Sequence, residues 1–591
     1  MYKNILSNHI KFNGDFTVAP LFDLAGEENI QHHQEDSQSH PEVVAMDNTK
    51  SLYTGNGNDA VVGIANAVAS SDAIAFAETK SFSEHTFLGS AISQSDAVIE
   101  ALSIGIDNTS KINTGRGDDK VVGVANVSAT AISEASSLAE LVFDDVSDAE
   151  VNTQSEAEAN ILAEGVGISN QGTIQTGNGC DTIIGIANVS TTATSNAFSQ
   201  AESVFNNNSV AIANSESISV IEALAIGIDN TGKIHTGNDH DVIIGAANTS
   251  TMTEADAVAL TDSLAMSSEF DGDVVDIETA ISQSTSLAVS DSFTTTLGII
   301  NSGKILTGKG NDVVFGLANN ESSSNSEAIS EALATADNVA NALANAESVG
   351  VANGSAVGIA NLGKIHTGNG DDAVIGVAIN DSVANADADA VAEALADDSD
   401  SLTNSDAIAD IEEAIAIGID NADGEIKTGH GNDRIIGYGE VGIIGGEIHT
   451  GNGDDRVIGY GTSVGVEGGV IRLGNGNDYF KAMIVNFDPL TGKVCHRDDR
   501  SGSIKDVEVF GGHGNDTFKL GGFEGTVSID GGEHHDVLKL WGSVDDYKFA
   551  LGSSDNQLTI ENSDSELIVK NVEAFYFDNS DRAYSFHDLV G

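Results

Sequence analysis

A chain of 591 residues with 91 acidic against 25 basic side chains, net charge -66, lacks the basic surface that nucleic acid demands, so no nucleic-acid partner is expected. Aromatic residues are only 5% of it, a balance that also suits disorder, but 40% of residues are apolar and alternate regularly, which favours a sheet protein once the charge is neutralised. Cys180 and Cys495 stand too far apart to form a framework or metal pair, no window is apolar enough to span a membrane, and Met1 to His9 lacks the apolar run of a cleaved signal.

Residues 1–48 read as a polar, poorly ordered leader. Its His32-His33 pair is better explained by solvated histidines than by a transition-metal site, and the same holds for His534-His535. From Thr54 a short loop, Thr-Gly-Asn-Gly-Asn-Asp, begins to recur. Its closing aspartates are Asp59, Asp119, Asp181, Asp241, Asp312, Asp372, Asp433, Asp455, Asp478, Asp516 and Asp536. They lie 60, 62, 60, 71, 60 and 61 residues apart as far as Asp433, then 22, 23, 38 and 20 apart. A repeat at fixed period means stacked coils.

Residues 428–484 hold the compact form of the unit and explain the long form in residues 49–427. In the compact form Asp433 to Gly439 is followed at once by Val441 to Gly451, which reads as strand, turn, strand, loop. In a long unit the same two strands, Asp241 to Asn248 and Thr296 to Asn301, flank an Ala/Ser-rich insertion. From Val383 to Ala396 every even position is Ala, and Ala340, Ala342, Ala344 and Ala346 repeat the pattern. Period two predicts strands with one face of small residues, although Ala alone would suit a helix. Residues 42–488 contain no proline, as an unbroken ladder requires. Asn108, Asn170, Asn230, Asn301, Asn361 and Asn421 are placed to take a left-handed turn and to stack in a hydrogen-bonded column.

Residues 485–591 form a different end. It carries two more loops, the single Trp541, and a run from Leu567 to Phe577 that looks like a pair of capping strands. The elements together predict an all-β chain: an elongated parallel β-solenoid (β-roll or β-helix) with Ala/Ser-rich strand arms inserted in most coils and a small β-rich C-terminal cap.

The loop chemistry points to a metal. Glycines let the backbone turn with positive φ so that carbonyl oxygens converge, and the aspartate adds a hard, charged oxygen. Oxygen donors without fixed His or Cys favour Ca2+ over zinc or copper, and magnesium demands tighter geometry. One loop cannot fill a shell of about 6–8 oxygens, but loops of successive coils together can. The single-loop alternative is a glycine turn with a solvated Asp.

The repeat resembles the nonapeptide of the repeats-in-toxin (RTX, hemolysin-type) calcium-binding family, most closely at Gly511-Gly512-His513-Gly514-Asn515-Asp516-Thr517-Phe518-Lys519. The resemblance implies carboxylate ligation by the eleven aspartates, with backbone carbonyls near Gly55, Gly57, Gly115, Gly117, Gly308, Gly310, Gly368, Gly370, Gly429, Gly431, Gly451, Gly453, Gly474, Gly476, Gly512 and Gly514. It also implies export by type I secretion with an uncleaved C-terminal signal, for which Phe575 to Gly591 is the candidate, and an extracellular or cell-surface location. Most loops depart from the family in carrying Thr at the first position, and loops occur once per coil, so calcium is expected on one edge only. Three depart further: Cys180 precedes Asp181, Asp239 replaces a glycine before Asp241, and the second glycine is missing before Asp536.

Catalytic signatures are absent: there is no nucleophile elbow, zinc-protease motif or phosphate loop. Asp271-Gly272-Asp273 lacks the later donors of an EF-hand. No segment suits bilayer insertion as a helix. The expected function is a calcium-binding secreted protein with a structural, surface-layer, matrix or adhesive role, folding on calcium, with a cell surface, a glycan or another copy as possible partner. One alternative is a polysaccharide-active enzyme using residues such as Asp498, Asp499 and Arg500; a second is a surface- or ice-binding adhesin with ranks of Thr and Ser.

Overall fold

A computed structural model describes the chain except for residues 1–3, 12–28, 82–87, 143–147, 206–207, 267–277, 397, 412–413, 489–492, 497–501, 554–555, 563–564, 579 and 591. The architecture is the expected parallel β-solenoid. Strand makes up 81% of it and helix 2%, so the Ala-rich insertions are strands throughout the described residues.

One coil illustrates all the long ones. An outward strand, Thr182–Phe205, runs away from the loop, a return strand, Asn208–Asn230, comes back, and a short edge strand, Lys233–Asn238, leads into the next loop. Buried and half-exposed residues alternate along all three, which is the period-two pattern written in Ala, Ser, Ile and Val. Each strand pairs in parallel with its counterpart one coil on. Thr182 faces Val242 and Phe205 faces Ala265 with no slip between them.

The coil has two compartments. Near the loop, Ile183, Ile228 and Ile234 come from the three strands and meet in a continuous aliphatic body core. Each such fully buried side chain contributes about 1.5–3 kcal/mol. Farther out only the two long strands remain, face to face, and the core changes to small residues. Ser195 and Ser217 bond hydroxyl to hydroxyl at 2.7 Å, and Ser215 donates to the Ala197 carbonyl at 2.6 Å. Side chains this small let one strand's hydroxyl reach the opposite strand's backbone. The long strands thus form a thin two-layered wing, held chiefly by ladder hydrogen bonds and an Ala/Ser interior.

The asparagine column is present. Nδ2 of Asn48, Asn108, Asn170, Asn230, Asn301 and Asn361 each donates to Oδ1 of the next member, ending on Asn421, at 2.6–2.8 Å. One part of the expectation fails: none of these residues has a positive φ. The turn is made by the residues that follow, and the asparagines act only through their side chains.

The edge strands form a single 14-stranded sheet from Leu52–Tyr53 to the C-terminal hairpins, crossing the change from long to compact coils without interruption, since Glu425 pairs with Glu447 as Lys364 pairs with Glu425. The boundary expected at residues 427 and 428 therefore marks the loss of the wing, not a break in the solenoid. The leader also needs correction. Asn4–Lys11, Asn29–Ser39 and Glu42–Asn48 pair in register with residues 60–67, 89–99 and 102–108, so most of the described part of residues 1–48 is the first coil.

The C-terminal cap is antiparallel. Gln557–Asn562 pairs with Lys548–Leu551 and Ser565–Lys570, and Ala574–Phe577 pairs with Ser580–Tyr584. The expected capping strands, Leu567 to Phe577, thus cover both sheets, and Phe518, Phe523, Phe575 and Phe577 replace the aliphatic core.

Candidate metal centre

In every loop the glycine four residues before the aspartate has a positive φ, and so does the residue two before it. At Gly115 and Gly117 the angles are 100° and 125°, and a Cβ on Gly115 would lie 1.8 Å from the Gly55 carbonyl oxygen. Glycine is needed here for both φ and space. Where sequence departs, the backbone does not: Asp239 and His534, in place of the second glycine, take φ of 79° and 93°. Those two loops keep the shared shape at the cost of backbone strain.

The glycine turn delivers the closing aspartate inward. All eleven are buried, Asp59 at 3% exposure and most others at 0%, so the solvated-Asp alternative is excluded. They bond along the solenoid: the backbone N–H of Asp59 donates to Oδ1 of Asp119, Asp119 to Asp181, and so on through Asp516 to Asp536, at 2.7–2.9 Å. The column ends on Glu573, whose Oε2 accepts from the Asp536 N–H at 2.7 Å. Sequence reading missed Glu573. The signal is Glu573-Ala574-Phe575, which aligns with Asp536-Val537-Leu538 because Val537 pairs with Ala574.

Each carboxylate has a second oxygen, and this one is left over. Asp59 Oδ2 accepts from the Thr54 hydroxyl at 2.7 Å. In the other ten, from Asp119 to Asp536, Oδ2 is buried and meets no partner with full hydrogen-bond geometry, although from Asp119 to Asp455 the loop threonine is close enough to lower the carboxylate pKa. The loop threonine stands beside it in most coils, and its single hydrogen is shared between this oxygen and the carbonyl of the next coil's threonine, as from Thr307 to Thr367 at 2.9 Å. Buried polar atoms without partners are rare and costly, and ten in a row require an explanation.

Electrostatics sharpens the point. Burial raises the pKa values of the ten aspartates from Asp119 to Asp536, and neighbouring aspartates raise several further: Asp181 to about 6, Asp241, Asp372 and Asp455 to about 7, and Asp478 to about 8. Asp536 is raised to about 7 and Asp516, chiefly by burial, to about 6. Stacked about 4.8 Å apart, two ionised neighbours repel by about 3 kcal/mol at an effective dielectric constant of about 20. Lysine and arginine do not relieve this; only His240, His430, His534 and His535, as minor contributions, favour the ionised forms of Asp312, Asp433, Asp516 and Asp536. Among the described residues, Lys and Arg ion pairs go to Glu78, Glu140, Glu425, Glu467 and Asp588.

The donors fit an oxygen-liganded cation: one orphaned hard oxygen per coil, uncompensated negative charge, and main-chain carbonyls in the turn. No three His, Cys, Asp or Glu side chains converge among the described residues, so any such ion must draw on backbone oxygens. The Gly55 and Gly115 carbonyls are only weakly engaged, by Arg116 and Asn178 N–H groups at 3.4 and 3.3 Å. Each keeps a free lone pair.

A second, exposed ladder runs outside the first, and sequence reading missed it too. The residue before each aspartate accepts from the next coil's N–H: Asn311 Oδ1 from Asp371 at 2.9 Å, Asp371 Oδ1 from Asn432 at 2.8 Å, Asn432 Oδ1 from Asp454 at 2.8 Å. His240 joins it through Nδ1, accepting from Asn311 at 2.7 Å, while exposed Cys180 offers His240 no such acceptor.

Asp181, Asp241 and Asp536 stand in the column like the rest. Asp498, Asp499 and Arg500, and the Asp271 segment, lie outside the described residues. His32 and His33 fall in the strand Asn29–Ser39. No protein-family model matches the chain, and a search of curated proteins finds no match. No helix among the described residues is long and apolar enough to cross a membrane.

Proposed function

We propose that this chain is a calcium-binding repeat protein of RTX-like character, working outside the cell in a structural, surface-layer, matrix or adhesive role. The observation that carries the reading is the column of buried aspartates, ten of them with an Oδ2 that lacks a full hydrogen bond and none in an ion pair with lysine or arginine among the described residues. Calcium supplies positive charge where these carboxylates repel. The aspartate Oδ2 atoms, with carbonyls of the glycine turns, would hold it.

Calcium also accounts for the choice of compartment. A chain whose coils repel without the ion stays loose where calcium is scarce and closes where it is plentiful, which suits export before folding. Long in-register ladders and wings with no recognised catalytic motif suit a scaffold.

The test is circular dichroism and calorimetry of the full chain with calcium and with chelator. Calcium should raise the strand signal and the melting temperature and bind in several equivalents. Identical spectra and melting in both conditions would end the proposal.

A further inference from the structure

The outward face of the edge sheet collects basic residues in a chain of net charge -66. Ile112, Ile234, Ile305 and Ile365 point into the body core, so the residues on either side of them point out. In one outward column Lys111 pairs with Thr173, Thr173 with Lys233, Lys233 with Lys304 and Lys304 with Lys364. In the next, Lys427 pairs with His449 and His449 with Arg472. Lys364 and Lys427 are half-exposed.

Stacked like charges destabilise a sheet, so this arrangement has a cost. Glu425 offsets it locally by pairing with Lys364 and Lys427. Among the described residues no carboxylate pairs with Lys111, Lys233, Lys304 or Arg472. These lysines do not serve the aspartate column either, since none forms an ion pair with it. Beyond Lys364 the first column turns acidic, with Glu425, Glu447 and Glu508, so the cationic stretch is its first half; further acid lies on the exposed wing strand Asp398–Asp410.

We propose that this face binds an anionic linear polysaccharide through Lys111, Lys233, Lys304, Lys364, Lys427 and Arg472. Lys233, Lys304 and Lys364 recur on successive coils about 4.8 Å apart, comparable with the length of one sugar unit, with Lys111 two coils before Lys233 across Thr173, so a polymer with regular negative groups meets them in step. The stripe is two outward columns wide, about 7 Å, which admits one chain but not a duplex. Single-stranded nucleic acid needs stacking platforms, and the aromatics in these columns, Tyr53 and Phe510, stand only at its two ends.

The experiment measures binding of the full chain, in calcium, to dextran sulfate, with uncharged dextran and duplex DNA as controls. The reference is the wild type; the variants are Lys233→Gln/Lys304→Gln/Lys364→Gln and the milder Lys304→Gln alone. Dextran sulfate should bind and dextran should not, the triple variant should lose about tenfold or more in affinity and the single variant less. Raising salt from about 50 to 200 mM should weaken binding steeply. Unchanged affinity in both variants, or no binding of dextran sulfate, overturns the proposal. DNA binding as tight as dextran sulfate overturns the assignment to polysaccharide, and loss of self-association in the variants without polymer reassigns the face to a second copy. Calcium-dependent strand signal, read on the same samples, tests the calcium reading separately.

Discussion

The backbone N–H of Asp372 donates to Oδ1 of Asp433, 61 residues later in the chain, at 2.8 Å. That one bond contains the logic of the repeat. The carboxylate is held by main chain through one oxygen, while its other oxygen is buried beside Thr428 without a full hydrogen bond. The charge is fixed in place and left uncompensated.

Asp372→Asn and Asp433→Asn separate these two roles. Asn keeps an Oδ1 acceptor for the N–H but removes the charge. In chelator at pH 8 the double variant should melt at a higher temperature than wild type, because a repulsive pair is gone. In calcium it should melt lower and bind fewer ions. Differential scanning calorimetry in the two buffers checks both signs, and lower stability in both would mean that the aspartates are only structural.

The pH response of the calcium-free chain has a defined direction. Asp241 and Asp372 hold their protons to about 7 and Asp478 to about 8 when folded, against about 3.9 when unfolded. The folded state therefore binds more protons between those values. This stabilisation is fully present below about pH 4 and is lost as pH rises through about 7 to 8. Calcium binds the ionised form, so the gain from calcium should grow over the same range. Thermal melts from pH 4 to 9, with and without calcium, should diverge.

Gly370 takes φ of 129°, and a Cβ there would lie 1.8 Å from the Gly310 carbonyl oxygen. Gly370→Ala should cost about 3 kcal/mol or more, since the obstacle is backbone of the neighbouring coil. Asp239 occupies the equivalent position one coil before Gly310, with φ of 79°. Asp239→Gly should raise stability by up to about 1 kcal/mol through relief of strain. Chemical denaturation of the two variants should give opposite shifts.

The solenoid, the strand character of the Ala-rich segments, the asparagine column and the cap were legible in the sequence because each leaves a period. Strict alternation from Val383 to Ala396 is visible without coordinates, and so is the recurrence of Asn230 and Asn301. Burial of the aspartates was not legible, because the same loop on a lone turn would point Asp59 into water. Glu573 escaped because its loop has lost both glycines and only pairing to Asp536 shows its place. The leader was misread because residues 29–48 lack a strong alternation of their own and gain register from residues 89–108.

Asn230 tests the column that ties the coils on the side away from the aspartates. It accepts from Asn170 at 2.6 Å and donates to Asn301 at 2.7 Å, fully buried. Asn230→Ala strands a donor and an acceptor, which should cost roughly 2–4 kcal/mol. Hydrogen exchange should locate the loss in the coils around residues 170–301 and leave the compact coils protected. Calcium removal should do the reverse, because residues 434–484 have no wing to hold them.

If the aspartate column holds calcium, the ion should stay with the folded chain. The most direct measurement is the number of calcium ions retained per chain after exhaustive dialysis, counted by atomic emission and compared with the same count after Asp372→Asn and Asp433→Asn. Several ions should remain per wild-type chain and fewer in the variant. A wild-type chain that retains none, or a count untouched by the substitutions, would contradict calcium binding by the column.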